Sequence, residues 1–159
     1  MEKKINKRVS ESRTEQIQIL MPEHINGFNR LFGGRLMEWI DVVAAVVARR
    51  HSGCNVTTAS IDNLQFKAPA HVNSTIFLSG QITHVGNTSM EVRVTTYVEK
   101  LDGMRFMINR AYLTLVAIDE NDHPVPVPGL ILETEEEKLE WEAGKKRREL
   151  RKQRRLEAF

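Results

Sequence analysis

Two hydrophobic rhythms divide the chain. Across residues 36–48, eleven of thirteen positions are apolar, and only Glu38 and Asp41 interrupt them. A surface apolar nearly all round predicts a buried helix, over about residues 34–50. Arg49, Arg50 and His51 place cations at its C-terminus, and Gly53 follows as a stop. Before the helix, residues 14–20 (TEQIQIL) alternate Ile17 and Ile19 with Gln16 and Gln18, as a strand does. After it the period is 2. Strands are expected at 56–66, 75–85, 89–100 and 105–118, clearest where Val92, Val94, Thr96 and Val98 alternate with Glu91, Arg93, Thr95 and Tyr97. Gly86-Asn87 and Asp102-Gly103 fall between these runs as hairpin turns, and Pro124, Pro126 and Pro128 close the sheet.

The order is therefore strand, one helix, four long antiparallel strands: an α+β fold with a sheet wrapped around one central helix. Such a sheet leaves a bare face and bare edges, which favours dimerisation through the sheet. Residues 1–11 read as a polar leader, 12–130 as the domain, and 131–159 as a charged helical tail that Gly144 is expected to break in two.

Composition narrows the setting. The chain of 159 residues suits one domain. The longest apolar run, residues 42–48, is too short to cross a bilayer, and the N-terminus has no apolar signal segment. A single cysteine, Cys54, excludes an internal disulfide framework, so a cytoplasmic, reducing location is expected, with no membrane partner. The net charge of +2 hides an asymmetry: residues 145–159 carry eight Lys and Arg against two Glu. This tail either grips nucleic acid, anionic lipid or another phosphate, or is a solvated helix paired with the preceding glutamates. The scarcity of aromatics for stacking favours the second reading, and makes nucleic acid an unexpected partner. Trp141, Leu139 and Leu150 are candidates to pack the tail on a neighbouring subunit.

Candidate chemistry centres on the helix and the loop before it. Glu38 and Asp41 lie three apart, on one face. Either both line the helix's solvated stripe, or a carboxylate faces a cleft as a catalytic group. Gly33 and Gly34 open the helix, where free N–H groups carry partial positive charge and can receive a developing oxyanion. The histidines are scattered without metal-ligand spacing, so no metal is expected.

Three segments together carry a specific resemblance. Asn26, Leu31-Phe32-Gly33-Gly34, Leu36-Met37, Ile40-Asp41 and Ala44-Ala45 form the first; residues 58–69 (TASIDNLQFKAP) the second; Val85-Gly86-Asn87-Thr88-Ser89-Met90 the third. With this spacing, residues 12–128 resemble the hotdog-fold acyl-CoA thioesterases, the small bacterial acyl-CoA hydrolases in particular. The resemblance implies protomers joined edge to edge, active sites at the dimer interface, and commonly a homohexamer built as a trimer of dimers. It implies Asp41 as the catalytic carboxylate, as base or as nucleophile, and Asn26 as the active-site asparagine from the opposite protomer. Gly34, with Gly33, would polarise the thioester carbonyl. Phe32, Gly33 and Ser60 are further substrate-binding candidates, and Thr88 and Ser89 candidates to hold the CoA phosphates. No cofactor is implied, since coenzyme A is part of substrate and product. Asn29 departs from the glycine usual in the family, but asparagine tolerates positive φ.

Two other readings compete with acyl-CoA hydrolysis. A hotdog hydratase or dehydratase needs a histidine beside the carboxylate, and none lies within the expected helix. A non-catalytic acyl-CoA sensor would use the basic tail on DNA, yet residues 132–159 show no helix-turn-helix pattern.

Overall fold

A computed structural model of the chain describes residues 4–159. The elements in order are β1 (Lys7–Arg8), β2 (Thr14–Ile19), α1 (Gly33–Ser52), β3 (Asn55–Phe66), β4 (Thr75–Val85), β5 (Ser89–Glu99), β6 (Arg105–Ile118), β7 (Leu130–Ile131) and α2 (Glu135–Glu157). Five strands form one antiparallel sheet in the order β2-β4-β5-β6-β3. Alternation explains both its faces. Val92 and Val94 of β5 and Leu113 and Leu115 of β6 turn inward and join Leu36, Ile40, Val43, Ala44 and Val47 of α1 in one core. Polar Glu91, Arg93 and Tyr112 turn to the other face, where α2 meets them.

The sheet covers only one side of α1. Met37 and Val42 stay exposed, so the helix expected to be buried all round is half-covered in the single protomer. Its C-terminal turn also runs further than the apolar pattern indicated, to Ser52, and ends on Gly53 at φ 67°, whose N–H donates to the Arg49 carbonyl. His51 therefore does lie in the helix. It is fully buried and its Nε2–H donates to the Pro128 carbonyl at 2.8 Å.

Both ends of the chain dock more closely than their charge predicts. Residues 4–11 of the leader are described; within them β1 pairs in parallel with β7 and Val9 is buried. The tail is one continuous helix, not two pieces. Gly144 does not break α2, because it is where the helix meets β4: a Cβ there would stand 2.8 Å from that of His84. Trp141 packs on His84 of the same protomer, ring centroids 4.2 Å apart, rather than being left for a neighbouring subunit. Exposed pairs such as Lys145–Glu142 do link tail cations to preceding glutamates. Arg147, Arg151 and Arg154 instead cross to the sheet, pairing with Glu91 and Asp62. The solvated-helix reading thus fails for the face of α2 that touches the sheet. Sheet residues already supply carboxylates there, so the helix binds through charge where an apolar stripe would ordinarily serve.

Candidate active site

α1 separates its two carboxylates. Glu38 is exposed and accepts from Arg35 at 3.2 Å, one turn away. Asp41 is half-buried, and the Thr58 hydroxyl of β3 donates to its Oδ1 at 2.7 Å. The solvated-stripe reading holds for Glu38, while Asp41 faces the edge of the sheet.

The loop before α1 is closed by Asn26. Its Oδ1 accepts the Phe28 N–H at 2.9 Å and the Arg30 N–H at 3.3 Å, and its own N–H donates to the Arg30 carbonyl. Asn29 takes φ 57°, so the position that differs from the family's glycine still adopts the left-handed turn. With Oδ1 committed to the loop, Nδ2 is left as a donor without a partner among the described residues. Asn26 lines a cavity of about 290 Å³ with Leu31, Leu36, Phe66 and Ile108, and with Arg30 and Lys67 at its polar side.

Gly33 and Gly34 form the first turn of α1, where N–H groups have no intrahelical acceptor. Phe32 precedes them without a side-chain cap, and its ring lies where a Gly34 Cβ would stand, 2.7 Å away; the Phe66 ring approaches Gly33 similarly at 3.4 Å. A side chain at Gly34 would therefore displace the Phe32 ring, whereas at Gly33 a Cβ would only touch Phe66.

Asp41 and Gly34 of the same helix cannot both reach one thioester carbonyl. They are seven residues apart, roughly 10 Å along the axis at 1.5 Å per residue. The Asn26 cavity likewise includes no α1 residue beyond Leu36. One protomer therefore presents the carboxylate in one place and the glycine pair with Asn26 in another.

The remaining expected residues divide between faces. Ser60 and Ser89 do not approach Asp41; they line a separate cavity beneath α2. Thr88 lines neither cavity, and its carbonyl accepts the Ala117 N–H at 3.0 Å. A β-bulge between Thr58 and Ser60 causes the split on β3. Regular alternation would have put both on one face, whereas the extra residue turns Thr58 to α1 and Ser60 to α2. Thr58 is the functional candidate that sequence reasoning passed over. Its only signal was a hydroxyl in the segment just after the helix, two places from the serine chosen instead.

Comparison with known proteins places this arrangement. The thioesterase superfamily matches residues 28–103. The chain is 41% identical over 128 residues to an uncharacterized acyl-CoA thioester hydrolase of Bacillus subtilis, YkhA, covering 80% of this chain and 74% of that protein. Mammalian relatives are longer: this chain spans 37% of the rat cytosolic acyl coenzyme A thioester hydrolase, at 34% identity over 87% of its own length. A hexameric acyl-CoA thioesterase superposes with a TM-score of 0.91 at 40% identity, over 94% of this chain and 97% of that one. An acyl-CoA hydrolase from Staphylococcus aureus, solved with butyryl coenzyme A and coenzyme A, gives 0.91 at 33% identity, over 96% and 93%. Structures of the staphylococcal enzyme include alanine variants at an asparagine, an aspartate and a threonine, with the mutual spacing of Asn26, Asp41 and Thr58 here. By sequence identity and by fold, the chain belongs to the acyl-CoA thioester hydrolases of the hotdog thioesterase superfamily.

Proposed function

We propose that the protein hydrolyses acyl-CoA to free coenzyme A and a carboxylic acid at a site shared by two protomers, with Asp41 as the reacting carboxylate. The observation that carries this reading is the Thr58–Asp41 hydrogen bond. It fixes a lone half-buried carboxylate on an otherwise apolar stretch of helix. Thr58 occupies Oδ1 and leaves Oδ2 to take a proton from water, whose oxygen attacks the thioester carbonyl carbon. The alternative at the same atom is direct attack to an acyl-aspartyl anhydride, which water then opens. In both routes the C–S bond breaks and the thiolate leaves as coenzyme A. The reaction needs no cofactor, since coenzyme A arrives with the substrate.

The roughly 10 Å between Asp41 and Gly34 on one helix supports a composite site. A partner's helix laid antiparallel on the exposed Met37 and Val42 would bring that partner's glycine pair and Asn26 to this Asp41. Gly34 N–H, with Gly33, would receive the oxyanion, and Asn26 Nδ2 would orient the carbonyl or the water. The apolar side of the cavity beside Asn26, formed by Leu31, Leu36, Phe66 and Ile108, suits the acyl-bearing end of the substrate. We assign the assembly as a trimer of such dimers. Among the described residues, no helix is long and apolar enough to cross a membrane.

The test is thiol release from a panel of short- to long-chain acyl-CoAs by wild type and Asp41→Asn. Release by the wild type and its loss in a folded variant is the expected result. Wild-type turnover by Asp41→Asn would overturn the mechanism. Hydrolysis in ¹⁸O water under single turnover separates base from nucleophile, because only an anhydride route can leave the label in Asp41.

A further inference from the structure

Asn26 is followed by Gly27, and it alone of the nine asparagines in the chain precedes a glycine. Asparagine is thermolabile because the nitrogen of the next residue can attack its side-chain amide carbon. A glycine in that next place presents the least hindered nitrogen, since it carries no Cβ. The pair lies in the loop before α1, outside any helix or strand, with Asn26 half-buried and Gly27 exposed.

The turn favours that attack. The Phe28 N–H donates to Asn26 Oδ1 at 2.9 Å, which folds the side chain back over the peptide between Asn26 and Gly27. Closing Cγ onto the Gly27 nitrogen would complete a five-membered ring. The Gly27 N–H donates to no acceptor among the described residues, so no hydrogen bond must break before its nitrogen reacts. The N–H groups of Phe28 and Arg30 already point at Oδ1, where negative charge gathers during the attack. Nδ2, the leaving group, makes no hydrogen bond among the described residues.

We propose that Asn26-Gly27 is a self-modification site: the loop converts Asn26 to an aspartyl or isoaspartyl residue, and the conversion ends the enzyme's activity. The Gly27 nitrogen bonds to Cγ and releases its proton, the Cγ–Nδ2 bond breaks, and ammonia leaves a cyclic imide. Water then adds to one of the two imide carbonyls and opens the ring. Opening at Cγ gives an ordinary aspartyl residue. Opening at the main-chain carbonyl gives the isoaspartyl form, whose extra backbone methylene breaks the turn that leads to the glycine pair. The loss of activity rests on the role proposed above for Asn26. Either product lacks the Nδ2 donor and brings a negative charge into the site where the Asp41 carboxylate reacts.

The test ages the full chain at mildly alkaline pH and follows peptide mass and thiol release on the same samples. Position 26 gains the mass of an amide-to-acid conversion faster than the other eight asparagines, and acyl-CoA hydrolysis decays at the same rate. Gly27→Ala starts with wild-type turnover, because a Cβ there meets nothing within 4 Å and the backbone is not left-handed. In that variant both rates fall by about tenfold or more, since the Cβ hinders the attacking nitrogen. Asn26→Asp, equivalent to one of the two products, is inactive from the start. The proposal is overturned if position 26 converts no faster than the other asparagines, if Gly27→Ala converts at the wild-type rate, or if the converted chain hydrolyses acyl-CoA as fast as fresh protein. Fresh wild type that hydrolyses no acyl-CoA would refute the hydrolase reading instead, on which the mass gain at position 26 does not depend.

Discussion

Thr58 on the edge strand β3 holds Asp41 of α1 through a single hydrogen bond of 2.7 Å, Oγ1 to Oδ1. A carboxylate oxygen that accepts from a fixed donor cannot rotate freely, so the second oxygen keeps one direction. Thr58→Val preserves shape and β-branching and removes only the donor. We expect kcat to fall about 10- to 100-fold, with a smaller change in KM, as when a reacting group loses its orientation. Thr58→Ser restores most of the loss. Steady-state thiol release by the two variants checks this; full activity of Thr58→Val would remove the hydroxyl from the mechanism.

Asn29 tests how the glycine of related loops has been replaced. At φ 57° a β-branched side chain costs about 1–2 kcal/mol, while glycine costs nothing sterically. Asn29→Gly should therefore stay within about 0.5 kcal/mol of wild type. Asn29→Val should lose about 1–2 kcal/mol and also activity, because the turn it distorts carries the two N–H groups held by Asn26. Urea midpoints and thiol release, measured on both variants, give the comparison. Equal stability of the two would mean that the loop relaxes out of the left-handed turn.

The sheet was legible because each strand alternates over many residues, and the observed 75–85 and 105–118 strands match the expected ones end for end. The site was legible in part. Asp41 showed as a charge on an apolar helix, and Asn26 and the glycine pair showed through resemblance. What periodicity could not carry was the bulge after Thr58, which a count of two places on the same face as Ser60. Nor could it carry the docking of α2, because that helix buries charge and its sequence has the pattern of a solvated one. Thr134 and Glu137 do mark its start: the Glu137 N–H donates to the threonine hydroxyl, and the glutamate carboxylate accepts the threonine N–H.

Gly144 reverses the usual rule for glycine in helices. In an open helix, Gly→Ala stabilises by about 1 kcal/mol. Here a Cβ would meet the Cβ of His84 at 2.8 Å and the Glu91 carboxylate at 3.1 Å, both on the sheet. Gly144→Ala should cost roughly 1–3 kcal/mol by lifting α2. Chemical denaturation gives the sign, and hydrogen exchange shows whether protection is lost in 135–157 specifically. A stabilised variant would mean that α2 is not seated on β4 in solution.

Acid should undo the protein in two steps. Burial holds His51 below the ordinary imidazole value of 6.5, against the upward pull of its bond to the Pro128 carbonyl. Its Nδ1 is buried with no partner, so a proton added there finds no acceptor. The unfolded chain takes up that proton first, and stability falls as pH drops below about 6.5. His84, also held low by burial, adds to the same step. Burial pushes the Glu91 carboxyl up, but hydrogen bonds from Arg147 and Thr83, with the charges of Arg147 and Arg151, outweigh it and hold Glu91 below 4.5. Stability from Glu91 is complete above that value and is lost as pH falls towards its lower native one. Melting temperatures from pH 8 to pH 3 should show both declines. Glu91→Gln should cost on the order of 3 kcal/mol at pH 7, since it leaves the Arg147 fork without its bidentate partner, and should flatten the second decline while sparing the first. A Glu91→Gln profile parallel to wild type below pH 4.5 would show that the Glu91–Arg147 pair is not what holds α2 against acid.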